Sequence, residues 1–567
     1  RESGVNGGRG GSAYMSDPVS GFIGENSIVG AGLPIAAGVA LAAQIQRADY
    51  VVAVSFGDGA TNQGASHEGF LFAVSKSLPV LFICENNRWS EMTPIDQMVP
   101  VELRARAASY GMRATVVDGN DPQAVAEAVA EAATDARGGK GPVFLECLTE
   151  RLGAHYQADI QHYRPKEDVE RARAADPLPR LRARLLAEGE AEESLAALDA
   201  DVAATLEAAE RVALAGERAH SSTLAFVYRE DPHGKPTPID AAAPELTYSA
   251  AINQALQREL RERPEAILYG EDVAVPGGNF GITRKLLDVA GERRVFDTPI
   301  SEAAILGSAV GAAMEGMRPI VEIMFGDFFL VALDQLVNQA ANVSYLSRGQ
   351  VPGSLVVRTQ QAVTPGSCAQ HVQCLEALLA HIPGLRVGLP ASPQDAYAMT
   401  RAAVASADPV ILYESRLLYQ QKGPVVLDGP VEEIGGARLV REGDDLAIVT
   451  WGRYVVESTR AAEMLAADGI SAAVLDLRWL NPLDEASIAA VVERASRVLV
   501  VHEANVTGGF GAEVIARIVS SSFEYLDAPP VRVGLPDVRM PAAPTLQTQV
   551  VPTSERIAAE AKMVLSR

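Results

Sequence analysis

The sequence predicts an α/β chain built from three doubly wound parallel sheets. Short, wholly apolar runs alternate with helical stretches along nearly all of it. That alternation is interrupted twice, first by an Ala, Glu and Arg rich segment leading into a Pro-rich linker, and later by a Gly/Pro break. Its 567 residues also exceed the roughly 250 to 300 that one hydrophobic core holds. Strands that are apolar throughout belong to parallel sheets covered by helices on both faces. Aliphatic and aromatic residues make up 48% and charged residues 21%, as in a globular protein. Aromatics are few and Ala and Gly abundant, which suits helices packed closely on sheets.

In the first part, the runs YVVAVSF (50–56), PVLFICE (79–85), ATVVDG (114–119) and PVFLECLT (142–149) read as strands. Between or before them, 34–46, 64–76 and 122–137 read as helices. Residues 166–220 keep a helical period, and YREDPHGKPTPIDAAAPE (228–245) reads as linker. Strands resume at 266–272, 318–325 and 353–359; after a break at 418–430 they continue at 445–452, 472–480 and 497–504. The expected domains are 1–225, then a linker at 226–245, then 246–425 and 426–567. The sequence carries no solenoid-length repeat.

A net charge of −23 argues against nucleic acid as a partner, because phosphate binding needs clustered Lys and Arg. No apolar run approaches the length of a membrane span, and no signal peptide is visible. Cys84, Cys147, Cys368 and Cys374 form neither CxxC pairs nor a disulfide framework, so free thiols and a cytoplasmic setting are expected. Arg at position 1 suggests a start inside a longer reading frame.

The chemistry is written most densely in residues 51–87. A Gly-Asp-Gly turn around Asp58 ends one predicted strand, and Asn86 and Asn87 end the next. Ligands of open parallel sheets bind at the carboxyl ends of strands. Asp58 and Asn87 lie 29 residues apart, about one strand-helix-strand unit, so adjacent strands would bring both oxygens to one rim. Mg²⁺ takes oxygen ligands and is commonly held by one or two protein oxygens plus phosphates. Flanking glycines let backbone amides approach a phosphate, and the following helix adds its positive end. A bare Gly-Asp-Gly is an ordinary turn; paired with Asn-Asn one unit later, it resembles the thiamine diphosphate binding motif.

The resemblance extends over nearly the whole chain. GGRGGS, NSIVGAGLPIAAG, GDGATNQG, FICENN, GEDV, FDTPISEAAILG, RPIVEIMFGDFF, DQLVNQAA and AQHVQC are similar to stretches of the decarboxylating component of 2-oxo acid dehydrogenase complexes. The part before the linker resembles its alpha subunit and the part after it its beta subunit, fused head to tail. The resemblance implies a transketolase-like fold, with Asp58, Asn87 and the carbonyl of Trp89 on Mg²⁺ and Gly57, Gly59 and Ala60 along the diphosphate. It also implies that Ser27 and Val29 meet the aminopyrimidine, with Val29 as the apolar wedge. Glu302 would hydrogen-bond the pyrimidine, from a small apolar setting that raises its pKa. Phe328 would stack on the ring, and His371 and His155 would handle protons and the lipoyl acceptor.

The chain departs from the family in several places. Tyr14 stands where the family carries a histidine, and a phenol does not shuttle protons near neutrality as imidazole does. RTQQAVTPGSCAQH (358–371) lacks glycines the family has after its arginine, Asn342 and Val343 replace part of an AAK motif, and PTLQTQ lacks the family's glutamate. The expected activity is oxidative decarboxylation of a 2-oxo acid, pyruvate-like by the form of DTPISE, with acyl transfer to a lipoyl-bearing acyltransferase by a homodimer. A stand-alone carboligating or acetoin-cleaving enzyme is the alternative, towards which ENNRWSEMTP leans. A non-catalytic homologue is the second alternative.

Overall fold

The structure is a computed structural model and describes residues 1–11, 14–220, 225–229, 234–361 and 363–567. Ser12 and Ala13 of the Gly-Ser-Ala-Tyr stretch, part of the expected linker, and Ala362 of the 358–371 loop lie outside the described residues. The chain divides into two units. The first is Arg1–Phe226 with Ala303–Glu315 and Tyr345–Val351; the second is Val227–Glu302, Gly316–Ser344 and Pro352–Arg567.

The first unit holds four parallel strands: β1 (Val52–Gly57), β2 (Val80–Asn86), β3 (Arg113–Asp118) and β4 (Val143–Leu148), in the order β1-β2-β4-β3. The inner strands are the buried ones, whereas β1 and β3 at the edges alternate between half-buried and exposed. Helix α1 (Gly32–Gln46) precedes β1, and α2 (Gly64–Ser75) joins β1 to β2. Asp121 caps the Pro122–Arg137 helix by accepting from the Gln123 and Ala124 amides. The 166–220 segment forms three helices, Lys166–Ala174, Pro177–Ala187 and Glu192–Ala215.

Helix α1 buries ten of its residues and Glu302–Met314 eleven, as expected of helices apolar on every side. Although chain order puts Glu302–Met314 in the second half, all but its first residue clusters with the first unit. The physical reason is a glycine crossing: a methyl group on Gly38 would overlap the Ser308 carbonyl, and one on Gly311 the Ile35 carbonyl. Only a residue without a side chain lets two backbones approach this closely.

Among its described residues the second unit holds two large sheets and a two-stranded antiparallel pairing of Glu245–Thr247 with Lys422–Pro424. One contains β5 (Ala266–Gly270), β6 (Val295–Asp297), β7 (Arg318–Phe325), β8 (Val356–Gln361), β9 (Arg386–Gly388), β10 (Val410–Ser415) and β14 (Trp479–Asn481). Its order is β14-β9-β10-β8-β7-β5-β6, parallel except at β14. The other contains β11 (Arg438–Arg441), β12 (Leu446–Thr450), β13 (Ala472–Asp476), β15 (Val498–Asn505) and β16 (Val531–Leu535) in the order β11-β13-β12-β15-β16, parallel except at β11. The expected single strand at 472–480 is thus two: its first half stays in the five-stranded sheet and its end crosses to the seven-stranded one.

That crossing is fixed by buried side chains. Trp479 is fully buried, and a methyl on Gly388 would sit 2.8 Å from its ring. Arg478, also fully buried, donates to Asp395 Oδ1 at 2.8 Å, to the Gly436 carbonyl at 3.1 Å, and to Glu432. A buried guanidinium is tolerable only with its donors satisfied in this way.

Candidate cofactor site

The site is built outward from the ends of β1 and β2. Parallel register pairs Gly57 with Glu85, so the turn beginning at Asp58 and the turn beginning at Asn86 leave the sheet side by side. Asp58–Asn62 coils into a short 3-10 turn in which the Thr61 hydroxyl donates to the Asp58 carbonyl at 2.7 Å and the Ser66 hydroxyl to the Ala60 carbonyl at 2.7 Å. Opposite, Asn86 Nδ2 donates to Glu146 Oε1 at 2.7 Å while its Oδ1 accepts from the Arg88 amide at 3.1 Å. Asn87 Oδ1 accepts from the Trp89 amide at 3.0 Å. The two asparagines therefore do different work: Asn86 clamps the turn and Asn87 shapes the stretch carrying the Trp89 carbonyl.

Asp58 is 1% exposed. Its Oδ1 accepts from the Gly59 amide at 3.0 Å, and its Oδ2 is buried with no hydrogen-bond partner among the described residues. Burial pushes this carboxyl up, partly offset by the Gly59 amide and Arg151. An unpartnered buried carboxylate oxygen is expensive unless something cationic uses it. The donor set is all oxygen, with one carboxylate, and no group of three His, Cys, Asp or Glu that could hold a metal occurs among the described residues. That suits a hard divalent ion sharing its coordination with phosphate rather than an all-protein cage.

The remaining first-unit candidates surround these turns. A methyl on Gly59 would sit 2.5 Å from Ser90 Oγ, so the two turns touch there, and Ala60 is buried. Gly57 has open space beside it. The loop of Ser27 and Val29 arrives through Gly30, whose φ is +85° and whose Cβ position lies 2.8 Å from both Gln63 Cβ and Ser66 Oγ. Ser27 is exposed and Val29 is 56% exposed, an apolar side chain presented on the surface. His155 is exposed, its Nε2 3.8 Å from Glu91 Oε1. Trp89 is held by side chains that local sequence patterns had not marked: its Nε1 donates to Asp168 Oδ2 at 3.2 Å, and the Arg151 guanidinium lies 5.3 Å from its ring centroid.

Three candidates fall in the second unit. His371 meets Phe325 and Phe328 edge-on, with centroids 4.7 and 5.6 Å away. Beside Phe328, Asp327 Oδ1 accepts from Gln373 Nε2 at 2.8 Å, and Gln373 Oε1 in turn accepts from Arg539 Nη1 at 2.6 Å. Glu302 opens the Glu302–Met314 helix. The apolar setting expected from its sequence neighbours is present on the helix, where Ala303 to Leu306 are buried, but Glu302 itself is only half-buried because it sits at the helix's first position.

A parallel four-stranded sheet with this strand-end pair, and two further α/β sheets, define a transketolase-like protein. Transketolases from Pichia stipitis (a mutant) and Leishmania mexicana superpose with TM-scores of 0.65 and 0.64 at 18% identity, covering 95% and 96% of this chain and 81% of each of those. Family models place the particular branch: the dehydrogenase E1 component matches residues 2–220, the transketolase pyrimidine binding domain 244–422 and the transketolase C-terminal domain 435–557. The second half is 41% identical over 331 residues to the pyruvate dehydrogenase E1 component subunit beta-2 of Oryza sativa subsp. japonica, covering 58% of this chain and 88% of that protein. It is 37% identical to the acetoin:2,6-dichlorophenolindophenol oxidoreductase subunit beta of Bacillus subtilis, covering 55% and 95%. The chain belongs to the thiamine diphosphate-dependent E1 components of 2-oxo acid dehydrogenases, with the E1 and transketolase-type domains fused in one polypeptide.

Proposed function

We propose that this enzyme decarboxylates a short 2-oxo acid, pyruvate-like, with thiamine diphosphate and Mg²⁺, and delivers the acyl group to a lipoyl group on a partner acyltransferase. The observation that carries the metal assignment is the buried Asp58 Oδ2, without a hydrogen-bond partner among the described residues, beside the Asn87 turn. When bound, thiamine diphosphate supplies the electron sink that decarboxylation of a 2-oxo acid requires.

The chain's own residues would do the rest. Asp58, Asn87 and the Trp89 carbonyl would hold Mg²⁺, and Gly57, Gly59 and Ala60 would leave the backbone open to the diphosphate. Ser27 and Val29 would meet the aminopyrimidine, Val29 offering the exposed apolar surface that such a contact covers. Glu302 would hold a proton at the pyrimidine and Phe328 would stack on the ring. His371, oriented by two phenylalanine edges, and His155 would move protons at the substrate and acceptor. Two copies would form the working dimer. Free cysteines, two of them buried, fit a reducing cytoplasm.

A second reading, acetoin cleavage, is favoured by the similarity to the acetoin-oxidoreductase beta subunit. The test is CO₂ release from pyruvate, 2-oxobutyrate and 2-oxoisovalerate with and without a lipoyl or artificial acceptor. Acceptor-dependent release from pyruvate supports the proposal. Turnover of acetoin but not of the 2-oxo acids overturns it in favour of the second reading.

A further inference from the structure

Two stretches in which the chain departs from its family touch within the second unit. One is RTQQAVTPGSCAQH, which ends on His371; the other is PTLQTQ near the C-terminus. PTLQTQ lies in a short helix, Pro544–Val550, whose burial is inverted: Leu546 is 48% exposed, whereas Gln547, at 4%, is the helix's one buried residue. A glutamine takes the inner position in place of a leucine only where its amide finds partners.

Those partners are backbone carbonyls. Gln547 Nε2 donates to the Ser367 carbonyl at 2.9 Å, to that of Thr364 at 3.3 Å and to that of Pro541 at 2.9 Å. Thr364 and Ser367 are the ends of one turn, closed by the Ser367 amide donating to the Thr364 carbonyl at 3.1 Å. Pro365 and Gly366 fill its centre, with Gly366 at φ +80°, as a type II turn requires. Arg416 donates to the Thr364 and Ser367 hydroxyls. The turn is thus gripped through its carbonyls by Gln547 and through its hydroxyls by Arg416. A carboxylate has no N–H to offer such carbonyls, so a glutamate does not replace this grip.

Apolar contacts close the same junction. Val363 and Val372, on either side of the turn, share a buried cluster with Leu535 and Met540, and Val550 and Val551 pack on it. The Val363 amide donates to Glu503 Oε1 at 2.9 Å, and Glu376, buried close to Glu503, starts the helix that follows the loop. Between these anchors Pro365, Gly366, Cys368 and Gln370 are exposed. The His371 amide donates to the Cys368 carbonyl at 3.1 Å, one residue after the turn ends. A loop with so much exposed backbone keeps one conformation only if its base is tied.

We propose that Gln547 is a positioning residue: by donating to the Thr364 and Ser367 carbonyls it fixes the turn from which the chain runs to His371, and so holds that imidazole against the Phe325 and Phe328 edges. The catalytic half of this assignment rests on the role proposed for His371; the clamp itself does not.

The test combines hydrogen exchange with a double-mutant cycle, on the full chain with thiamine diphosphate, Mg²⁺, pyruvate and an artificial electron acceptor. Gln547→Met keeps the length of the side chain and removes both N–H donors. Amide exchange in the 364–372 peptide is expected to speed up about tenfold while the sheets exchange at native rates, and kcat to fall by about 10 to 100-fold, the cost of a misplaced group. In a His371→Ala background the same substitution should leave kcat unchanged, because it acts through His371. Gln549→Ala, exposed on the same helix, changes neither quantity. Native exchange at 364–372 in Gln547→Met overturns the clamp. A native kcat in Gln547→Met, or an equal loss in both backgrounds, overturns the positioning role. If His371→Ala alone keeps a native kcat, the role proposed for His371 is what fails and the catalytic half falls with it, while the clamp is decided by the exchange rates.

Discussion

Replacing Asp58 by Asn separates what the site does for a ligand from what it does for the fold. The amide keeps an oxygen for the Gly59 N–H, at 3.0 Å in the native structure, but removes the charge at the buried oxygen that has no partner among the described residues. In the absence of ligand the variant is therefore expected to unfold no earlier than the native protein, since an uncompensated buried charge has become neutral. With ligand the order reverses. Thiamine diphosphate and Mg²⁺ at about 100 times their dissociation constant stabilise a binding-competent fold by about 2.7 kcal/mol. At about 2 to 4 °C per kcal/mol for a unit of about 250 residues, the native midpoint rises by about 5 to 10 °C. The variant should show almost none of this rise, and titration calorimetry should detect no Mg²⁺-dependent cofactor binding. A retained Mg²⁺-dependent shift would refute the assignment of Asp58, and a lower midpoint without ligand would refute the claim that its second oxygen lacks a structural partner.

Glu302→Gln is expected to bind cofactor normally and to turn over about 10² to 10⁴-fold more slowly, the range for loss of a general acid or base; near-native kcat removes Glu302 from the chemistry. Gly311→Ala should destabilise by about 1 to 3 kcal/mol, because its methyl overlaps the Ile35 carbonyl; an unchanged urea midpoint contradicts the helix crossing. Glu376 predicts a pH dependence. Burial raises its carboxyl from 4.5 to about 7, so folding favours the protonated form. Its contribution is complete below about pH 4.5 and is lost as pH rises through about 7, on the order of 3 kcal/mol at 1.4 kcal/mol per pH unit. Glu376→Gln should remove that slope and be the more stable protein at pH 8; parallel pH profiles for the two proteins count against it.

Much of the architecture was legible because it is local. Apolar runs of strand length mark β1, β2, β4, β5 and β7 to within a few residues, and the Gly-Asp-Gly and Asn-Asn turns fall at strand ends where the alternation puts them. Short strands such as Arg386–Gly388 and Val295–Asp297 were not, since three residues carry no period. In the candidate site, Asp58 and Asn87 were legible from spacing alone. Their support was not: Glu146 behind Asn86 and Asp168 under the Trp89 indole come from distant positions and have no motif of their own.

The sequence by itself determined which segments are strands and helices, where the acidic turn and the asparagine pair fall, and which family the motifs resemble, because each depends on residues adjacent in the chain. Tertiary structure alone decided that Ala303–Glu315 joins the first unit, that Trp479 crosses to the seven-stranded sheet, that Asp58 is buried with an oxygen lacking a partner among the described residues, and that Glu376 is buried close to Glu503. Those outcomes depend on which surfaces exclude water from which polar atoms, and that is set by contacts between segments far apart in the chain.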